Sequence, residues 1–140
     1  MRALAERFGK PMIVAETSMG FTLRDYADYE KLPPSKRKGM AAGEELAKRV
    51  PFPMSPGGQA DFLQELMERI AGIPRGLGRG LIWWEPCLLP LPGTDWATEA
   101  GIAYMHERGP GGNEWANQAL FDYDGHALPA LSVLRHFAPD

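Results

Sequence analysis

Two glutamates end short apolar runs of this chain and are its strongest candidates for acid–base or nucleophilic chemistry. Glu16 follows the apolar residues 12–15, and Glu85 follows the apolar residues 81–84. A fixed carboxylate can attack an anomeric carbon when a second carboxyl group lies about 5 to 5.5 Å away, as in retaining glycosidases. Taken alone, Glu16 is explained equally well as an ion-pair partner or a hydrogen-bond acceptor at a strand end, so both interpretations stay open.

Aromatic and amide side chains near the second run could bind a sugar. Trp83 and Trp84 are adjacent in a predicted strand, so they should face opposite sides of the sheet. An exposed indole ring suits the apolar C–H face of a pyranose, although a buried tryptophan is ordinary core. Further rings and amides lie in or beside a later loop: Trp96, Asn113, Trp115, Asn117 and Gln118. This composition suits carbohydrate and equally suits loop packing.

The elements that must position these residues follow from the apolar pattern. Residues 2–8 favour a helix that ends at Gly9, and residues 12–15 form a short strand buried on both faces. After a long polar loop with a weak helical signal over residues 41–49, a helix should begin at the capping residue Ser55 and end near Ala71. The second buried strand then ends at Glu85.

Two buried strands joined through a helix predict a parallel, right-handed unit. Both glutamates would then lie at the carboxyl ends of strands. In barrels built from such strand–helix units, the active site is assembled at that end of the strands. The joining helix should pack on its own sheet through one apolar stripe, formed by Phe62, Leu63, Leu66, Met67 and Ile70. A terminal helix should present a second apolar face, formed by Leu128, Leu131, Leu134 and Phe137.

Charge and cysteine content exclude several classes of function. The 15 basic and 18 acidic residues give a formal net charge of −3 with no basic stripe, so we expect neither nucleic acid nor membrane as a partner. The single cysteine, Cys87, excludes an intrachain disulfide framework and a cysteine-based metal cage. The three histidines are scattered without a metal-ligand spacing, so we predict no metal and no cofactor.

Four segments, residues 10–18, 51–53, 78–86 and 115–122, together resemble family-53 glycoside hydrolases, the arabinogalactan endo-β-1,4-galactanases. This resemblance implies a (β/α)₈ barrel that hydrolyses the β-1,4-galactan side chains of pectin with retention. It also implies a glutamate nucleophile at the end of the seventh strand and a glutamate acid/base at the end of the fourth.

On this comparison Glu16 is the catalytic nucleophile, and the acid/base has no counterpart in the chain. Trp84 matches the aromatic residue that stacks beneath the sugar, and Glu85 beside it has a supporting role. Trp115 and Asn117 are the further substrate-binding candidates. Some relatives bind calcium through an Asp- and Asn-rich loop. The Asp/Gly/Asn alternation of that loop is missing around Asp25 and Asp28, so we predict no metal.

Length indicates that the chain is part of a barrel. Eight strand–helix units need about 250 residues, and the chain has 140. We therefore expect residues 1–140 to be the C-terminal part of the catalytic domain, an incomplete α/β portion of a (β/α)₈ TIM barrel that contains its last two units with long loops. The isolated chain should be inactive without the missing N-terminal portion of the barrel.

Other interpretations remain. The chain could be a non-catalytic carbohydrate-binding fragment, or one that complements a partner supplying the missing N-terminal barrel portion. It could equally belong to an endo-hydrolase of another β-glycan, because subsite contacts are not evident from sequence. The resemblance implies an extracellular location, and a cytoplasmic one stays open because the chain has no recognisable signal segment.

Overall fold

The computed structural model of the chain describes residues 1–24, 44–89, 98–105 and 115–137. Its elements, in order, are α1 (Arg2–Phe8), β1 (Met12–Thr17), α2 (Glu44–Ala47), α3 (Pro56–Ala71), β2 (Gly78–Trp83), α4 (Glu99–Tyr104) and α5 (Pro129–His136). Short 3₁₀ turns occupy Pro74–Gly76 and Ala116–Gln118. The predictions made for Asp25, Asp28, Trp96 and Asn113 lie outside the described residues. Within those ranges, no helix has the length and hydropathy that crossing a membrane requires.

The two strands form a parallel sheet and are joined through α3, which confirms the predicted parallel pairing. Helix α1 ends at Gly9, whose φ of 62° lies in the left-handed region where a residue without Cβ is favoured. The chain then turns directly into β1, and the ladder extends beyond β2 because the backbone N–H of Trp84 donates to the Thr17 carbonyl at 2.7 Å. The carboxyl ends of both strands therefore meet at one edge of the sheet.

Strand β1 contains one extra residue just before its end. Val14 pairs with Leu81 and Thr17 pairs with Trp83, so three steps along β1 match two steps along β2. Such a bulge interrupts the alternation of side chains. Ala15 and Glu16 are consequently both exposed, whereas strict alternation would turn Glu16 towards the side of the sheet that the helices cover.

Only one face of the sheet is covered by the described residues, so the prediction of strands buried on both faces is wrong for them. Helix α3 packs against β2 and α5 packs against α3. On the opposite face Ile13 is 60% exposed and Ile82 is 58% exposed. A core lies on the helix side and consists of Met19, Leu63, Trp83, Leu120 and Ala130.

Helix α3 forms as its sequence predicts. The Ser55 hydroxyl accepts the backbone N–H of Gly58 at 3.0 Å, and Pro56 occupies the first helical position, where no hydrogen bond is lost. Leu63 and Ile70 are buried, and Phe62 and Met67 pack at the edge of the same core. The apolar stripe of α3 therefore serves the fold of the chain itself.

Helix α5 differs from its predicted apolar face. Leu128 is buried just before the helix, but Leu134 is 37% exposed. An α-helix turns about 100° per residue, so residues three apart rotate by about 60° at each step and leave a common face. Leu131 of the predicted face packs against the core, and Ala130 and Val133 join it there in place of Leu134.

A buried glutamine at the start of α3 holds together the two loops that follow the strands. Gln59 is fully buried, and its Nε2 donates to the carbonyl oxygen of Met19 at 2.8 Å and to that of Ala119 at 3.0 Å. Met19 follows β1, and Ala119 belongs to the segment after β2. A single side chain thus fixes the relative position of both loops.

Replacing Gln59 with methionine should lower the free energy of unfolding by about 3 kcal/mol. The variant keeps the volume but leaves two buried carbonyl groups without a donor, at about 1 to 3 kcal/mol for each unsatisfied group. Urea-induced unfolding measures the change. Gln64→Met, on the exposed side of the same helix, is the matched control and should change stability by less than about 0.5 kcal/mol. Equal effects of the two substitutions would contradict the role given to Gln59.

Candidate functional site

An open cleft of about 370 Å³ lies at the edge where the carboxyl ends of the two strands meet. Its walls come from three segments: the end of β1, the residue after β2, and the 3₁₀ turn near residue 117. The lining residues are Glu16, Thr17, Ser18, Trp84, Trp115 and Gln118. The structure therefore brings together three of the predicted site residues, Glu16, Trp84 and Trp115.

Glu16 presents an exposed carboxylate to this cleft because of the extra residue in β1. No described basic side chain lies within ion-pairing distance of it. The strand pairing continues just beyond it through Thr17 and Trp84, so the backbone on which Glu16 stands is held by the sheet. A carboxylate in this position can act as a nucleophile towards a molecule bound in the cleft.

The adjacent tryptophans face opposite sides of β2, as predicted. Trp83 is 7% exposed and belongs to the core, where its ring meets that of Phe62 edge-on at 6.3 Å between centroids. Its Nε1 donates to the backbone oxygen of Gln118 at 2.9 Å. Trp84 is 39% exposed and lines the cleft. One indole thus fixes the strand to the loop, and the other offers an open ring surface.

Gln118 lines the cleft; in the sequence it is one of the amides near the loop, but Asn117, not Gln118, is the predicted substrate-binding candidate. Its side-chain Oε1 accepts the hydroxyl hydrogen of Ser18 at 2.8 Å, and its backbone N–H donates to the Trp115 carbonyl at 2.9 Å. From sequence, Asn117 and Gln118 are equally plausible amides. A 3₁₀ helix has three residues per turn, so consecutive side chains point about 120° apart. Only the docking of the turn decides which one reaches the cleft.

Asn117 and Glu85 do not line the cleft. Asn117 is fully buried, its Nδ2 donates to the Thr22 carbonyl at 3.1 Å, and its own carbonyl accepts the backbone N–H of Phe21 at 2.8 Å. These contacts fasten the loop after β1. Glu85 is half-buried with a φ of 55°, which turns the chain sharply away from the strand just after Trp84.

One group of potential metal ligands lies at the tight turn around Asp124 and Gly125. Asp122, Asp124 and His126 each place a ligand atom within 4.8 Å of the others. Asp122 Oδ1 accepts the backbone N–H groups of both Asp124 and His126, at 3.0 and 2.8 Å. The His126 N–H is the main reason that the pKa of Asp122 lies below its ordinary value. The geometry of the turn itself accounts for this grouping.

A family model, two curated relatives and a solved structure resemble this chain. The family model described as Glycosyl hydrolase family 53 matches residues 1–134. An endo-β-1,4-galactanase of Bacillus subtilis is 31% identical over 154 residues, which cover 97% of this chain and 33% of that protein. An arabinogalactan endo-β-1,4-galactanase of Thermothelomyces thermophilus is 30% identical over 88 residues, covering 63% of this chain and 20% of its own length.

A solved structure, the family-53 catalytic domain of Ignisphaera aggregans, superimposes with a TM-score of 0.73 at 30% identity. The match covers 96% of this chain and 32% of that domain. The chain therefore spans about a third of the length of the solved domain and of the Bacillus relative. The prediction of an α/β chain that forms part of a (β/α)₈ barrel is confirmed by this superposition.

Proposed function

The chain belongs to glycosyl hydrolase family 53, and on this premise we propose that it is the nucleophile-bearing part of a retaining endo-β-1,4-galactanase. The observation that carries the proposal is the meeting of Glu16, Trp84 and Trp115 in one cleft at the carboxyl ends of parallel strands. The substrate is β-1,4-galactan, as in the pectic arabinogalactan side chains. A polymer of this kind is encountered outside the cell, so we expect the enzyme to be extracellular.

In the first step the carboxylate oxygen of Glu16 attacks the anomeric carbon of the galactosyl unit. A bond forms between this oxygen and the carbon as the glycosidic bond breaks. The departing sugar oxygen takes a proton from a second carboxylic acid, for which residues 1–140 offer no counterpart in our assignment. That acid belongs to the remainder of the barrel.

In the second step water displaces Glu16. The second carboxyl group, now ionised, removes a proton from the water as its oxygen bonds to the anomeric carbon, and the Glu16 carboxylate leaves. Two inversions at one carbon restore the starting configuration. A product with retained β configuration is therefore the signature of this mechanism.

The aromatic residues hold the substrate. The exposed ring of Trp84 lies in the same cleft as Glu16, so a galactose that stacks on it is brought close to the nucleophile. Trp115, just before the 3₁₀ turn, contributes a second ring to the cleft lining. Rings and C–H faces bind without charge, which suits a neutral polysaccharide. Asn117 and Glu85 support this arrangement from outside the cleft wall.

We propose further that residues 1–140 are the last two strand–helix units of the barrel and work together with the rest of it. Ile13 and Ile82 project from the uncovered face of the sheet, and a barrel interior would cover both. The outer edges of a two-stranded sheet also present unpaired backbone groups that neighbouring strands would satisfy. The remainder of the barrel, in the same or a second polypeptide, is the partner that this surface fits.

The proposal is tested on a complete barrel, which we define as residues 1–140 joined to, or produced together with, the part of the Bacillus subtilis relative that the chain does not match. This barrel should hydrolyse β-1,4-galactan, with a β-configured product detected by NMR before mutarotation. Preferential hydrolysis of a β-1,4-glucan would assign the site to another β-glycan. An assembled barrel that binds galactan without cleaving it would favour a carbohydrate-binding role.

Replacing Trp84 with alanine in the complete barrel should lower kcat/KM on galactan by about 10- to 100-fold. Loss of the ring removes a contact that binds the reacting sugar, and this range corresponds to about 1.4 to 2.7 kcal/mol. Steady-state kinetics measures the effect. The melting temperature should change little, because Trp84 lies outside the core.

The neighbouring Trp83 provides the matched control. Trp83→Ala should cost about 3 to 5 kcal/mol of stability because it leaves a cavity in the core and removes the hydrogen bond to Gln118. A Trp84→Ala variant that lost stability and kept full activity would reverse the roles assigned to the two rings.

A further inference from the structure

The side chain of Gln118 is held at the cleft wall in a way that leaves its amide nitrogen available. Oε1 accepts the Ser18 hydroxyl hydrogen at 2.8 Å, and the residue is 9% exposed. Its backbone is fixed at both ends, through N–H to Trp115 and through the carbonyl to Trp83. A glutamine amide has two N–H donors on Nε2. No described acceptor takes them, and Nε2 is not one of the fully buried unpaired atoms, which among the described side chains are Gln59 Oε1 and Asn117 Oδ1.

We propose that Gln118 is a substrate-binding residue that donates a hydrogen bond from Nε2 to a hydroxyl oxygen of a galactosyl unit in the cleft. The inference rests on the proposed function and adds to it a polar residue that selects the sugar. Rings such as Trp84 and Trp115 recognise the apolar face of any pyranose. A fixed donor distinguishes where the hydroxyl oxygens lie.

The arrangement also explains why this donor would bind well. A side chain whose backbone and acceptor oxygen are already held loses little conformational freedom when the ligand arrives. Ser18, which holds Oε1, lies two residues after Glu16 in the same chain segment. Donor and nucleophile are therefore positioned by one connected set of contacts, and a sugar bound by Gln118 keeps a defined place relative to the carboxylate.

The balance of hydrogen-bond donors and acceptors in the cleft favours the same role for Gln118. Glu16 is an acceptor when ionised, so the cleft already has a group that receives hydrogen bonds from sugar hydroxyls. Gln118 supplies the complementary donor from another segment of the same cleft lining. A hydroxyl-rich neutral ligand, which both donates and accepts, can use the two together.

The test measures binding where hydrolysis cannot interfere. In the complete barrel carrying Glu16→Gln, the dissociation constant of β-1,4-galactotetraose is determined by calorimetry with and without Gln118→Glu. The carboxylate keeps an acceptor for Ser18 but has no N–H to give, so we expect at least tenfold weaker binding. The otherwise native Gln118→Glu barrel should show a raised KM. Melting temperatures within a few degrees of the parents would separate lost contact from lost structure.

Gln64→Glu makes the same amide-to-carboxylate change on the exposed side of α3, outside the cleft, and is the matched control. It should leave the dissociation constant unchanged within about twofold. Equal affinities with and without Gln118→Glu, or a loss from Gln64→Glu as large as that from Gln118→Glu, would overturn the inference. If the parent barrel hydrolyses galactan and Q118E binds normally, only the role of Gln118 fails. If the parent neither binds nor cleaves galactan, the proposed function fails and the inference fails with it.

Discussion

Replacing Glu16 with glutamine in the complete barrel should lower kcat on β-1,4-galactan by about 10⁴-fold, since loss of a residue in a catalytic nucleophile set has effects of this order. The amide has nearly the shape of the carboxylate but cannot form the covalent intermediate. Because Glu16 is exposed, its substitution should leave the melting temperature almost unchanged. Release of reducing sugar from galactan measures the rate.

Two further variants separate a nucleophile from a merely nearby charge. Glu16→Ala leaves space for azide, which should restore turnover and form a galactosyl azide of α configuration, since azide attacks from the face that Glu16 occupied. Glu85→Gln alters the other strand-end glutamate, which does not line the cleft, and should lower kcat by less than about tenfold. Substantial turnover by E16Q with no azide product from E16A would refute the assignment of Glu16.

Replacing Gly58 with alanine should destabilise the fold by about 3 kcal/mol or more, at the upper end of the cost of forcing extra atoms into a packed site. Gly58 is buried in the first turn of α3, and a Cβ atom there would overlap the carbonyl oxygen of Pro53. The overlap is with backbone, so relief would require α3 to move away from the segment before it. Urea-induced unfolding of the complete barrel measures the loss.

The preceding residue is a closely matched control. Gly57 lies in the same turn of α3, but a Cβ atom there would meet nothing within 4 Å. Gly57→Ala should leave stability unchanged or raise it by up to about 1 kcal/mol, because alanine loses less backbone freedom in a helix. Similar stabilities of the two alanine variants would show that the close approach to Pro53 is relieved at little cost.

Features governed by local chemistry were predictable from sequence. Ser55 followed by Pro56 specifies the start of α3 through a cap and a fixed φ. In the structure Ser55 is the cap and Pro56 is the first residue of the helix. Gly9 specifies the end of α1 because its left-handed backbone conformation favours glycine. The parallel pairing of two short apolar runs follows from the helix between them. None of these features needs distant residues to decide it.

Features governed by packing were not predictable. The bulge in β1 depends on its register against β2, which apolar patterning does not reveal. The predicted face of α5 failed at Leu134 because threefold spacing does not match the helical repeat. At the site, the strand-end positions made Glu16 and Trp84 candidates, and the family resemblance assigned their roles. The choice between Asn117 and Gln118 depended on how one short turn docks.

The extra residue between Val14 and Thr17 makes the register of this segment as important as its composition. Deleting Ala15 would place Glu16 directly after Val14, and regular alternation would keep its carboxylate on the face opposite to Val14, where it already lies. Closing the bulge with every residue retained would instead pair Glu16 with Trp83 and carry the carboxylate to the side occupied by α3. The pairing of Thr17 with Trp83 is therefore the contact that keeps the carboxylate in the cleft.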